Sequence, residues 1–89
     1  MEVILDCSLT GSKESFYTAL SLALRFPGWF GNNLDGLYDC LTDLGEETHL
    51  TLRRFEVLEE RLGDYGSRLR DTLEEAAEEN PRLQVLFEE

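Results

Sequence analysis

Asp35, Asp39 and Asp43 recur every four residues, the spacing that sets side chains on one face of a helix. Carboxylates so placed have two uses. A pair can perform the acid–base hydrolysis of glycosidases, or each can accept directed hydrogen bonds from Arg and Lys. With Glu46 and Glu47 they make five carboxylates between Arg25 and Arg53, a stretch without one Lys or Arg. Like charges four apart weaken a helix by ~0.2–0.5 kcal/mol per pair. Asp35 recovers something near a helix N-terminus, but Asp39 falls mid-helix and Asp43 near the unfavourable C-terminal end. Folding alone does not select this stripe; it suits a cationic partner.

The rest of the chain bounds what the stripe can serve. Eighty-nine residues, 42% of them hydrophobic and 10% aromatic, can order one core, so residues 1–89 are expected to form a single domain. Nineteen acids against eight bases give a formal net charge of −11. That charge repels nucleic acid and anionic membranes and speeds encounters with basic proteins. Met1-Glu2-Val3-Ile4-Leu5-Asp6 has no basic start and only a three-residue apolar run, unlike a signal peptide. Cys7 and Cys40 are expected to be reduced thiols of a cytoplasmic protein. With a lone His49, they offer no familiar metal-ligand spacing, so neither metal nor cofactor is expected.

Periodicity supplies the elements that must position the acids. Glu2–Asp6 is a β-branched strand, and Thr10-Gly11-Ser12 leads into a helix over Lys13–Phe26 with Phe16, Leu20, Ala23 and Leu24 on one face. Phe26-Pro27-Gly28 stops it, because the residue before proline is pushed out of the α region. Asn33 can cap a second helix, Leu34 to Leu44, whose seam of Leu34, Leu37, Leu41 and Leu44 lies opposite the acidic stripe. Thr48–Arg53 alternates as a strand. Phe55–Leu62 is a short helix closed by Gly63, and Asp64 can cap a longer one through Asn80, with Tyr65, Leu69, Leu73 and Ala76 inward. Leu83–Phe87 is a third strand. The order β-α-α-β-α-α-β predicts an α/β fold, a small three-stranded parallel sheet packed with four helices.

The strongest local signature is Trp29-Phe30-Gly31-Asn32-Asn33-Leu34-Asp35-Gly36-Leu37-Tyr38-Asp39-Cys40-Leu41-Thr42. Two aromatics enter a glycine turn, then a capped helix presents Tyr38 between carboxylates. Such a mixture of aromatic area and charged acceptors suits a protein interface. The competing reading places Trp29 and Phe30 in the core beneath the loop and leaves the acids as a solvated face. The residues alone weigh these evenly.

This stretch closely resembles the barstar family, intracellular inhibitors of secreted ribonucleases of the barnase type. The family pattern runs aromatic–aromatic–Gly–x–Asn–Leu–Asp–small–Leu–aromatic–Asp–Cys–Leu–Thr, and the order of elements around it follows the family over about the full length. The resemblance implies one-to-one inhibition of such a ribonuclease by a protein that is monomeric when free. It implies that the second helix and preceding loop plug the enzyme's active site, with Asp39 where the scissile phosphate belongs and Asp35 paired at the rim. Trp29 and Tyr38 would supply aromatic contacts, Gly31 and Asn33 would shape the loop, and Thr42 completes the motif. Glu75 in the last helix matches a further acid of the family's interface.

Tyr38 replaces a tryptophan, Trp29-Phe30 a pair of tyrosines, Leu44 an indole, and Gly36 a helix former worth ~1 kcal/mol less as glycine than as alanine. These departures bear on which enzyme is the partner. The alternative is an acidic module of this fold diverged to bind another basic protein, and third stands an enzyme using Asp35 and Asp39 as a pair. The run Glu74-Glu75…Glu78-Glu79 reads mainly as solvated surface, Cys40 as a packed thiol, and His49 as structural.

Overall fold

A computed structural model describes residues 1–89. Its elements are β1 (Glu2–Asp6), α1 (Lys13–Leu24), α2 (Leu34–Thr42), β2 (Thr48–Arg53), α3 (Phe55–Leu62), α4 (Asp64–Glu79) and β3 (Leu83–Glu88), with a 3-10 turn over Cys7–Leu9. The three strands form one parallel sheet with β2 in the middle. This is the expected α/β arrangement of three parallel strands and four helices.

Register follows from the alternation in each strand. Val3, Leu50 and Val85 align across the sheet, as do Leu5, Leu52 and Phe87, and these rows join the core under the helices. The alternate row, Ile4, Thr51 and Leu86, points away from it, leaving Ile4 63% and Leu86 57% exposed. Parallel sheets are usually covered on both faces; this one is covered on one.

The core is built on Phe16, Tyr17, Leu20, Leu37, Leu41, Leu58, Leu69, Leu73 and Ala76 from the helices, all fully buried. Through it runs a chain of tilted and edge-to-face rings, Phe26–Phe30–Tyr17–Phe16–Phe55–Phe87, with successive centroids 4.9, 5.3, 6.1, 6.2 and 5.1 Å apart. It links the loop before α2 to β3 on the far side. At that end Arg70 donates to both carboxylate oxygens of Glu59 at 2.9 Å, joining α4 to α3. Its guanidinium also lies over Phe87 and Phe55.

Element ends differ from expectation where the backbone turns left-handed or a cap intervenes. α1 stops at Leu24 rather than Phe26, because Arg25 takes the left-handed conformation (φ 57, ψ 49) and Pro27 keeps Phe26 out of the helix. α2 stops at Thr42, with Asp43 as its C-cap, so Leu44 lies beyond the helix. Gly63 (φ 61) occupies the N-cap of α4, and Asp64 is the first helical residue instead of the cap. That helix ends at Glu79, and Asn80 is its C-cap. The turn at Cys7–Leu9 was not expected from the hydrophobic pattern; Asp6 caps it by accepting from the Ser8 amide at 3.0 Å.

Asn80 has a second task. Its buried side chain donates to the carbonyls of Leu41 (2.9 Å) and Leu44 (3.1 Å) and accepts from the Arg82 amide (3.0 Å). The end of α4 is thus fastened to the last turn of α2. Asn80→Ala leaves the Leu44 carbonyl and the Arg82 amide without their partner and removes one of the bonds to the Leu41 carbonyl, and should lower unfolding free energy by ~1–3 kcal/mol in urea titrations.

The Glu59–Arg70 pair sets a pH dependence. The hydrogen bond from Arg70 holds the Glu59 carboxyl below its ordinary 4.5. A lowered folded value means the unfolded chain binds the proton more readily, so this stabilisation is present above 4.5 and fades as pH falls through the folded value. Glu59→Gln should be less stable than the parent at neutral pH, and the gap should close in acid. Urea titrations across pH 3–7 measure it.

Candidate functional site

The loop entering α2 is shaped by three neighbouring residues. Gly31 (φ 75) and Asn32 (φ 52) are both left-handed, which reverses the chain where glycine and asparagine are tolerated. Asn33 is the N-cap: its Oδ1 accepts from the Gly36 amide at 2.7 Å while Nδ2 donates to the Gly31 carbonyl at 3.3 Å. One amide side chain therefore caps the helix and braces the turn before it.

Trp29 and Phe30 divide between the two readings offered for them. Phe30 is 4% exposed and packs edge-on to Tyr17 and Phe26, whereas Trp29 is 62% exposed. Gly36 explains how Phe30 reaches the core. A Cβ on Gly36 would overlap the Phe30 carbonyl oxygen and press on its ring, so the loop lies against α2 only because that side chain is absent. Helix propensity alone marks Gly36 as a defect; packing makes it a requirement.

On α2, Leu37, Cys40 and Leu41 are buried, and Asp35 and Asp39 turn outward. They turn toward α4 as well as toward solvent. Leu34, Asp35, Tyr38, Asp39, Thr72 and Glu75 line a groove of about 490 Å³ between the two helices. Four of the eight expected contact residues, Asp35, Tyr38, Asp39 and Glu75, thus share one concavity. Trp29, Gly31 and Asn33 belong to the loop at the entrance of α2, and Asn33 with Asp35 lines a smaller adjoining pocket of about 250 Å³. Thr42 is not among the lining residues. Its hydroxyl donates to the carbonyls of Tyr38 (2.8 Å) and Asp39 (3.2 Å), bracing the turn that carries Asp39.

Two lining residues, Leu34 and Thr72, escaped the sequence reading. The apolar seam accounts for only part of Leu34, which is half-buried and lines both pockets. Thr72 lies three residues before Glu75, hence on the same helical face, a signal that spacing alone carries. Asp43, last of the stripe, is the C-cap and lies outside the groove.

The groove is an acidic site without internal compensation: three carboxylates line it and no base does. Three carboxylates facing one open space favour a cation entering it. Cys40, on the buried side of α2, is 4% exposed; burial raises its thiol pKa, and the charges of Asp39 and Asp43 add to the shift. Burial likewise pushes Cys7 up to about 12. Both stay protonated and weakly nucleophilic near neutrality. The only histidine, His49, pairs with Glu2 at 3.4 Å on the outward face of the sheet. No three His, Cys, Asp or Glu side chains gather as metal ligands, and no helix is long and apolar enough to cross a membrane.

A family model described as barstar (barnase inhibitor) matches residues 1–88. A Bacillus subtilis (strain 168) protein named "Putative ribonuclease inhibitor YrdF" is 34% identical over 79 residues, covering 88% of this chain and 87% of that one.

Gly36→Ala tests the packing at the mouth of the groove. Helix propensity favours alanine by ~1 kcal/mol, but the overlap with the Phe30 carbonyl forces loop and helix apart. The variant should be less stable than the parent by ~1–3 kcal/mol, with rising fluorescence change at Trp29 as the loop shifts. Urea titration followed by tryptophan emission reads both.

Proposed function

The chain belongs to the barstar family, whose members are inhibitors and not enzymes, and we propose that it blocks a barnase-type ribonuclease by inserting the face of α2 and its preceding loop into the enzyme's active site. The observation that carries this reading is the groove itself. Asp35, Tyr38, Asp39 and Glu75 converge in one concavity that no base lines, on the helix and loop that hold the family's motif.

A ribonuclease active site binds a phosphodiester with cationic groups. An inhibitor that offers a carboxylate where the phosphate belongs exploits donors already in place. Asp39, in the middle of α2 and held by a turn that Thr42 braces, is the residue we assign to that position. Asp35 and Glu75 receive flanking bases, while Tyr38 and the exposed Trp29 supply aromatic area. The complex is one-to-one and the free inhibitor monomeric. Two free, buried thiols suit action in the reducing cytoplasm, and the net charge of −11 draws a basic enzyme from a distance.

Asp39 and Asp43 separate this mechanism from general acidity, since both are carboxylates of one stripe and only Asp39 lines the groove. Removing one partner of a desolvated charge pair costs ~3–5 kcal/mol. Asp39→Ala should therefore weaken inhibition at least about a hundredfold, and Asp43→Ala should change it little. Inhibition of dinucleotide cleavage should be competitive with a mononucleotide. Equal losses at the two positions would reject the assignment of Asp39. Full cleavage with the protein saturating the enzyme would favour a diverged acidic module that grips the enzyme elsewhere.

A further inference from the structure

The smaller pocket beside the acidic groove carries the opposite charge. Lys13 and Arg68 line it together with Tyr65, Asn32, Asn33 and Asp35, and it shares Leu34 and Asp35 with the groove. Neither base has a carboxylate partner, a state they share with Arg25, Arg61 and Arg82, but only these two meet in one pocket. They are instead gathered on a single ring: Lys13 Nζ lies 4.9 Å and Arg68 Cζ 5.7 Å from the centre of Tyr65. That ring is anchored, because the Tyr65 hydroxyl shares a 2.5 Å hydrogen bond with the hydroxyl of fully buried Tyr17.

Folding does not reward this arrangement. The two cations repel each other, and Lys13 is the first residue of α1, where the positive end of the helix dipole disfavours a base. Interaction with the ring offsets part of that cost. An anion placed beside both would be attracted by both and would meet a surface already assembled.

We propose that Lys13 and Arg68, gathered on Tyr65 beside the Asn32–Asn33 turn, form a cationic flank that accepts a carboxylate side chain of the bound ribonuclease. The inference rests on the reading that the neighbouring groove binds such an enzyme. It adds a specificity element: the preferred partner carries an acidic residue next to its cationic active site. A pocket of about 250 Å³ suits one side chain, and its continuity with the groove means that a seated enzyme would cover it. The face is then a patterned pair of charges, acid beside base, which tells apart enzymes with equally basic active sites.

The test exploits a difference of sign. Attraction between a uniformly acidic inhibitor and a basic enzyme would make loss of either base neutral or favourable, because the inhibitor becomes more negative. Acceptance of a carboxylate makes the same change unfavourable. Lys13→Gln, Arg68→Gln, the double variant and Asp39→Ala would be titrated calorimetrically, beside the parent, against a panel of barnase-type ribonucleases including barnase. The single variants should bind the parent's tightest partner ~2–5-fold more weakly and the double variant about tenfold. Thermal melting should be nearly unchanged, separating loss of contact from loss of fold. Neutralising the facing carboxylate on that enzyme should abolish the difference between parent and double variant. Equal or tighter binding by the double variant, with Asp39→Ala still impaired, overturns the cationic flank and leaves the proposed inhibition standing. A parent that binds no enzyme of the panel overturns both.

Discussion

Two helices rich in acid lie side by side, and a buried apolar seam closed by one amide holds them there. Leu37 and Leu41 of α2 and Leu69, Leu73 and Ala76 of α4 are fully buried in the same core, and the helices pack against each other. Each buried leucine contributes on the order of 2 kcal/mol. A pair of water-exposed carboxylates even 4 Å apart costs only about 1 kcal/mol. The seam therefore outweighs the repulsion above it. Asn80 closes the lower end from the C-cap of α4 by bonding the carbonyls of Leu41, in the last turn of α2, and Leu44, just beyond it. The groove is the gap left between these helices on their solvent side, so its acids converge because something beneath them prevents their separation.

The loop before α2 depends on the core in the same way. Phe30 enters the ring system that runs through Tyr17 and Phe16 to Phe55, and Gly36 leaves room for its carbonyl. Trp29, one residue earlier, is thereby turned outward. The Phe30 amide donates to the Pro27 carbonyl at 3.1 Å, closing a tight turn that leaves Trp29 at its outer corner while Phe30 enters the core. The Asn33 cap then fixes where α2 begins, and with it the direction of Asp35 and Asp39. Orientation of the acidic face is inherited from packing several residues away.

Much of this was legible in the sequence because it is periodic. The alternation of Thr48–Arg53 and the helical face of α4 repeat with the period of their element and occur as expected, and the leucine seam of α2 holds at Leu37 and Leu41. What escaped is long-range or a single-residue event. Asn80 looks like the end of a helix before Pro81; its bonds to residues 36 and 39 positions away have no local signature. Arg25 turns left-handed without the glycine that usually announces such a turn. The partition of Trp29 from Phe30 needs a knowledge of where α1 lies. The convergence of Asp35 and Asp39 with Glu75 came from resemblance, since β2 and α3 intervene between the two helices; spacing supplied only that each acid lies on an outer face.

The bare face of the sheet gives the chain's acidity a further consequence. Ile4 and Leu86 stand exposed across Thr51, and β1 and β3 each leave one side unpaired. A small flat surface with two open edges invites strand-to-strand association with another copy. A net charge of −11 opposes that approach. The surplus carboxylates thus act colloidally as well as at the groove, keeping like molecules apart while drawing a basic one in. Acidification toward the isoelectric point, about 4.3, takes this mutual repulsion away.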